Sequence, residues 1–319
     1  MVGYAVVLGA VFIWGVSYIV MKEATTDYPH LLFQFWRYAA VSLIYLAWSY
    51  RSLRSIPAKV WRDGLLRLGL ANFTLGIFSI FAVQYTTPTR VVVINSFIIA
   101  VVPLLRWIHD KARPERHEKW AIGIALVAIA LLIDPRDGGL KPGDGLALLG
   151  MIGYAYSIVL TNRLLLRDRV SVVQVSMLGI VGCTLYFSVA GIVYASLRPE
   201  GFGLKLLVSQ PGTLTGILFM ILFVSLAANL LQVFGQRKLP PVTVSILFCL
   251  EPAVTAALDY VLLGNPPSLR MALCGTLLIA ATLVVALRGL TGLPRKRRPE
   301  AGDRARSASG DRRGESPPL

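Results

Sequence analysis

Long apolar stretches follow one another along almost the whole chain. Each is about 20 residues long, which at about 1.5 Å per residue crosses a hydrocarbon layer of roughly 30 Å. The breaks between them carry Pro, Gly or charge, and the stretches lack the strict apolar/polar alternation of an outer-membrane barrel. The pattern predicts an all-α integral membrane protein. Its ten transmembrane helices are expected near residues 3–22, 31–50, 64–85, 89–108, 119–133, 144–164, 171–196, 212–236, 241–263 and 268–288.

The composition agrees with a membrane protein, because 55% of the residues are hydrophobic and only 15% are charged. An average soluble domain has roughly 25% charged residues. The net charge of +15 does not indicate nucleic-acid binding, since Lys and Arg lie in short gaps and in the C-terminal tail, without interleaved aromatic residues. The three cysteines have neither CxxC spacing nor a nearby His, so we expect no metal and no cofactor.

The distribution of positive charge predicts the orientation of the chain. The loops after predicted helices two, four, six and eight hold fourteen Lys and Arg, against seven in the opposite loops. Cytoplasmic loops carry the excess, so we expect both termini in the cytoplasm and the protein in the cytoplasmic (inner) membrane. The first stretch has no positive n-region and is read as a retained helix. Residues 293–319 form a basic tail that is expected to be disordered.

The two halves of the chain resemble each other. A shift of 140 residues aligns Trp14 and Ser17 with Tyr154 and Ser157. A shift of 149 residues aligns the fourth predicted helix with the ninth, matching Ser96 with Ser245, Pro103 with Pro252 and Asp110 with Asp259. Because five helices is an odd number, a second copy of a five-helix unit enters the membrane inverted. We therefore expect repeats at 1–137 and 138–292, with a site between them near the bilayer midplane.

Three short motifs carry a resemblance to a known family. They are Ile13-Trp14-Gly15-Val16-Ser17-Tyr18, Phe35-Trp36-Arg37-Tyr38 and Leu250-Glu251-Pro252-Ala253-Val254-Thr255-Ala256. With this order, the chain resembles the EamA-type carriers of the drug/metabolite transporter superfamily. The resemblance implies a ten-helix carrier of small metabolites such as amino acids. One departure is that the family usually has a Gly-Glu pair after helix nine, where this chain has Gly264-Asn265.

Charged residues inside the apolar stretches are candidate site residues, because an isolated charge in the bilayer is costly. Glu251 is expected roughly 15 Å deep, where it would bind a substrate amine or a coupling proton. The alternative is a buried acid hydrogen-bonded between helices. Arg37 and Asp259 are both expected about 9 Å below the outer surface, where they could form an ion pair. Arg37 would attract a substrate carboxylate or organise the outer gate, and Asp259 is the candidate gating residue. Alternatively, Arg37 snorkels outward and Asp259 lies in the interface.

Uncharged polar residues and aromatic residues complete the predicted site. Asn229 and Gln232, at positions i and i+3, share one helix face. The other candidates for substrate contact are Asn72, Asn95, Ser17, Ser157, Trp14 and Tyr154. For each polar residue the alternative is a hydrogen bond that joins two helices, worth roughly 0.6 kcal/mol on average. The aromatic residues could equally be packing or interface residues.

These features predict a secondary carrier that works by alternating access. Its cavity is expected between helices one, three, four, six, eight and nine, with a small-molecule substrate and a proton as the candidate coupling ion. ATP-driven transport is unsupported because the chain has no Walker motif. A membrane-embedded enzyme is a second hypothesis, against which stands the lack of HExxH and GxSxG motifs. A membrane scaffold that transports nothing is the third.

Overall fold

The computed structural model describes residues 2–111, 113–132, 141–198, 201–263 and 269–290, apart from several side chains in the last two helices, Asp259 among them. Within these ranges the chain forms helices and no strands. In chain order the main helices are α1 (Val2–Ala24), α2 (His30–Ser49), α3 (Ala58–Tyr85), α4 (Pro88–Asn95 and Ile98–Asp110), α5 (Arg116–Leu132), α6 (Pro142–Leu166), α7 (Val172–Ser196), α8 (Pro211–Lys238), α9 (Pro241–Phe248 and Glu251–Leu263) and α10 (Leu269–Leu290).

The all-helical membrane fold is confirmed, and a helix covers each of the ten predicted stretches. Among the described residues, eight helices are long and apolar enough to cross a membrane, namely α1 to α4 and α6 to α9. The predicted fifth and tenth stretches form α5 and α10, which do not belong to those eight. Ten membrane crossings therefore remain a prediction.

Two pairs of helices depart from regular α-helix at related places. A wide π-helical turn interrupts α3 at Asp63–Leu68 and α8 at Met220–Ala228. Both α4 and α9 break after eight residues, at residues 96–97 and 249–250. At each break the backbone bonds tighten to the three-residue spacing of a 3₁₀ turn. Discontinuous helices of this kind often surround the binding site of a transporter.

These irregularities give the register of the repeat. Helices α3 and α8 begin and end 153 residues apart, and so do both segments of α4 and α9. The shift of 149 residues inferred from matching letters is therefore wrong for α4 and α9, because apolar helices share many letters by chance. At the spacing of 153, Ser96 corresponds to Cys249, and the Cys249 thiol donates a hydrogen bond to the Ser96 carbonyl oxygen over 3.4 Å.

Contacts between the halves follow the same two-fold pattern. Helix α2 packs against its counterpart α7, α4 against α9, and α5 against α10. Helix α3 packs on α6 as α1 packs on α8. Glycine allows the closest approach, since a methyl group on Gly69 would lie 2.6 Å from the backbone of Gly182. Elements of both halves thus surround a shared centre.

Candidate functional site

A cavity lined by both polar and apolar side chains lies between α1, α2, α3, α7 and α8. Its volume is about 80 Å³, several times the ~10–15 Å³ that one water molecule requires. Five predicted site residues line it, namely Trp14, Ser17, Arg37, Asn72 and Asn229. Among the described residues, none of α4, α6 or α9 lines it, so the expected set of walls is replaced by one that includes α2 and α7. Both halves contribute to this space, which we call the Arg37 cavity.

Arg37 is the cation of this cavity, and it is 7% exposed. Its Nε donates to Ser225 Oγ over 2.7 Å, and its Nη1 donates to Gln34 Oε1 over 3.2 Å. The guanidinium lies 4.9 Å from the ring centre of Tyr38, where a cation–π attraction holds it. All three partners are neutral, so they orient the guanidinium without cancelling its charge.

Arg37 forms no ion pair with a carboxylate among the described side chains. Its expected partner Asp259 lies outside that set. The Nη2 group of Arg37 makes no hydrogen bond to a described residue, so donors remain for an occupant of the cavity. A buried cation without a counter-charge favours an anionic group, and a carboxylate matches the planar guanidinium fork.

Two amides, Asn72 of α3 and Asn229 of α8, line the cavity together with Arg37. Asn229 accepts a hydrogen bond from the Tyr45 hydroxyl over 3.4 Å and follows Ser225 by one turn of α8. Asn72 reaches the cavity beside Gly179, where a methyl group would lie 2.8 Å from the Asn72 Nδ2. The missing side chain at position 179 therefore leaves room for Asn72. These groups offer hydrogen bonds to a polar solute.

Glu251 lies beside the Arg37 cavity but does not line it. It begins the second segment of α9, directly after the helix break, and is 2% exposed. The positive end of that segment favours a carboxylate there. Glu251 is close enough to the hydroxyls of Tyr18 and Tyr154 to interact with both electrostatically. Tyr18 also lines the cavity and interacts electrostatically with Arg37 as well.

Glu251 and three residues connected to it through Tyr18 and Tyr154 each have a buried polar atom without a hydrogen-bond partner among the described residues. These atoms are Glu251 Oε1, Asn95 Oδ1, Trp14 Nε1 and Tyr154 OH, and we call their residues the Glu251 cluster. Trp14 stacks on Tyr154 with ring centres 5.3 Å apart, and the amide of Asn95 donates to Tyr18 OH over 2.7 Å. Because buried polar groups are rarely left unpaired, this cluster is a place for water or a cationic group.

The remaining predicted residues lie elsewhere. Ser157 donates to the Tyr154 carbonyl of its own helix over 2.8 Å and does not line the cavity. Gln232 is buried outside the cavity lining. Gln34 and Ser225, which hold Arg37, are not among the residues predicted from the sequence. Gln34 could have been found, because it lies three residues before Arg37 on the same helix face. Ser225 could not, since it is 188 residues from Arg37 along the chain.

Ion pairs join α4 to α6 at both ends of these helices. Near the start of both helices, Arg90 pairs with Asp144, whose carboxylate is almost fully buried. At the opposite end, Arg163 pairs with Asp110 over 2.8 Å. Since α4 and α6 come from different halves of the chain, these pairs couple the two repeats outside the cavity.

Comparisons with known proteins agree with this architecture. The model of the EamA-like transporter family matches residues 1–134 and again residues 141–287. One solved crystal structure, of a chain described only as a protein, superposes with a TM-score of 0.70. It covers 91% of this chain and 99% of its own at 16% identity, so that likeness shows the fold alone. A search of curated proteins found no match.

Proposed function

Since the chain belongs to the EamA-like transporter family, we propose that it is a secondary carrier for a small metabolite with a carboxylate, such as an amino acid. The family is one of membrane transporters of the drug/metabolite type, which fits transport rather than catalysis. In the proposed mechanism the substrate enters the Arg37 cavity, and the two repeats then rock to open the cavity to the other side. The lipid bilayer surrounds the helices throughout.

The charge of Arg37, which pairs with no carboxylate among the described side chains, carries this proposal. Burying a cation without a counter-ion is expensive, and a carboxylate bound at the guanidinium would offset part of that cost. Ser225 and Gln34 hold the guanidinium in place before the substrate arrives. Asn72 and Asn229 then supply hydrogen bonds to the rest of a polar solute. A site built in this way selects small anionic or zwitterionic molecules over cations.

Glu251 is proposed to hold the coupling proton, or the amine of a zwitterionic substrate. Its unpartnered oxygen and its proximity to Tyr18 support a protonation state that depends on whether the Arg37 cavity is occupied. A carboxylate on Arg37 would change the field at Tyr18, which interacts electrostatically with both residues. Proton binding at Glu251 and substrate binding at Arg37 would then be coupled through Tyr18.

The positively charged loops support a location in the inner membrane with both termini on the cytoplasmic side. In this orientation the residues of α1 that line the Arg37 cavity lie in the external half of the bilayer, toward Ala24. The cavity would thus face the external side. Labelling of cysteines in the loops from each side of the membrane would test the orientation.

Flux measurements in sealed vesicles test the proposed function. Purified protein is reconstituted, and uptake is measured for a panel of labelled amino acids and for the amines that lack their carboxylates. We expect uptake of at least one carboxylate compound and not of the matching amine. Arg37→Gln should lower that uptake by about 100-fold, because removing one partner of a buried charge pair costs ~2–5 kcal/mol.

Arg54→Gln is the matched control, since Arg54 is exposed after the end of α2 and should leave uptake unchanged. Insertion of each variant is checked by size-exclusion chromatography. Equal uptake by the wild-type protein and Arg37→Gln would remove Arg37 from the mechanism.

A further inference from the structure

The repeat spacing relates the cavity face of α3 to a face of α8. At 153 residues, Asn72 corresponds to Ser225, Gly76 to Asn229, and Ser79 to Gln232. Five of these six residues line the Arg37 cavity. Gln232 is the exception, although its counterpart Ser79 lines the cavity. The two repeats therefore present matching faces. The face on α3 lines the cavity at all three positions, and the face on α8 at only two of them.

Beyond the cavity, α8 carries a stripe of amides. Asn229, Gln232 and Gln236 follow at positions i, i+3 and i+7, which places them on one helix face. This amide stripe begins in the cavity at Asn229 and runs toward the Lys238 end of the helix. An apolar face would be the ordinary choice for a helix packed against α1 and α9.

The buried members of the stripe are not satisfied. Gln232 Oε1 has no hydrogen-bond partner among the described residues, and the same is true of both amide atoms of Gln236. Gln236 is 0% exposed. An amide buried without partners carries its full desolvation penalty. Such a penalty is understandable if a second conformation brings these amides into contact with water or substrate.

The Lys238 end of α8 is closed by tight packing. A methyl group on Gly3 of α1 would lie 3.0 Å from Lys238 Cβ and 3.1 Å from a Leu239 side-chain carbon. The amide of Asn162, from α6, donates to the Gln236 carbonyl oxygen over 3.0 Å. These contacts exclude solvent from the stripe in the conformation described here. They lie at helix ends, where a rocking motion would separate them.

We propose that the amide stripe is the second half of the substrate path. When the cavity opens toward the Lys238 end, Gln232 and Gln236 line it and donate hydrogen bonds to the polar groups of the substrate. Ser79, which lines the cavity in the present conformation, then leaves the cavity lining, as its counterpart Gln232 lies outside it here. The inference rests on the proposed carrier function and adds the residues that contact substrate in its other state.

Thiol labelling tests this exchange of faces. Gln232→Cys and Gln236→Cys are reconstituted in vesicles and treated on both sides with a membrane-impermeant methanethiosulfonate reagent. Labelling is followed by mass spectrometry against a parent chain with its native cysteines, of which Cys183 and Cys249 are fully buried. Val233→Cys is the matched control, because Val233 is 3% exposed beside Gln232 at 6%.

We expect the two stripe positions to react at least about tenfold faster than Val233→Cys, a ratio equivalent to ~1.4 kcal/mol. In the double variant Ser79→Cys/Gln232→Cys, labelling of position 79 should trap the conformation in which that position lines the Arg37 cavity. Labelling of position 232 should then become slower. Equal and slow reaction at positions 232, 233 and 236 would overturn the proposal.

A second variant covers the case in which the cysteine variants do not fold. Gln236→Leu removes two unpaired polar atoms at similar volume, so it should raise the melting temperature of the purified protein and lower flux at least about tenfold. Reduced stability with unchanged flux would assign Gln236 a purely structural role. Fast labelling of the stripe in a protein that transports none of the tested solutes would instead count against the proposed substrate class and leave the path intact.

Discussion

The two repeats share their helix geometry but not their charges. Helices α2 and α7 begin 142 residues apart, so Arg37 in the first repeat corresponds to Gly179 in the second. At the spacing of 153 for α4 and α9, Glu251 in the second repeat corresponds to Ile98 in the first. Each repeat thus carries one central charge that its counterpart lacks. The duplication gives two repeats with similar helix geometry. Because only one repeat carries Arg37 and only the other carries Glu251, the two charges are not related by the repeat symmetry.

The largest expected difference between the repeats is in the loss of stability when a small residue of α2 or α7 is substituted. Gly182 corresponds to Ala40, and a methyl group on Gly182 would overlap the Leu65 carbonyl oxygen and lie 2.9 Å from the Cα of Gly69. We therefore expect Gly182→Ala to destabilise the protein by about 1–3 kcal/mol, as overpacking does. The melting temperature in detergent measures this change.

Ala40→Gly is the matched control for that variant. It removes the same methyl group from the counterpart position, where it should cost no more than about 1 kcal/mol of helix propensity. A Gly182→Ala protein as stable as the wild type would show that α3 and α7 can separate without cost.

Glu251→Gln sharpens the comparison of the two charges. The amide keeps the shape of the side chain but cannot release a proton. Flux driven by a pH gradient should fall about tenfold or more, a loss of ~1.4 kcal/mol of coupling. Exchange of substrate at equal pH should persist. Glu115→Gln, at an exposed acid, should change neither rate. Normal pH-driven flux in Glu251→Gln would remove this residue from coupling.

The smallest expected effect compares two counterpart serines. Ser17 and Ser157 each donate to the carbonyl oxygen three residues earlier, both over 2.8 Å. Only Ser17 lines the Arg37 cavity. Ser17→Ala should raise the substrate concentration for half-maximal uptake about two- to fivefold, the effect of losing a hydrogen bond worth ~0.5–1 kcal/mol. Ser157→Ala should leave that concentration unchanged. Equal effects would mean that both act only within their helices.

The sequence was sufficient to predict the fold class and the two-repeat family, and both predictions are confirmed. Long apolar stretches are determined by bilayer thickness, so they can be read locally. The helix breaks at residues 96–97 and 249–250 could not be read in this way, because these residues include no Pro, Gly or charge. The second break also changes the position predicted for Glu251. It lies at the first residue of a helical segment, not in the middle of a continuous helix.

The candidate site was predictable only in part for a similar reason. Arg37 is conspicuous as a lone cation in an apolar stretch, and the structure places it in the cavity. The partners that hold it come from α8 and from the preceding turn of α2. Which polar residue of α8 meets Arg37 depends on the wide turn at Met220–Ala228, which rotates the helix face and leaves no trace in residue spacing.

Ligand binding to the purified protein tests the central claim most directly. Thermal unfolding is measured for the wild type and for Arg37→Gln, each with a transported carboxylate metabolite and with its neutral primary amide at equal concentration. The account predicts that the carboxylate raises the melting temperature of the wild type only, and that the amide raises neither. Equal stabilisation of Arg37→Gln by the carboxylate would show that the substrate's negative charge is bound elsewhere.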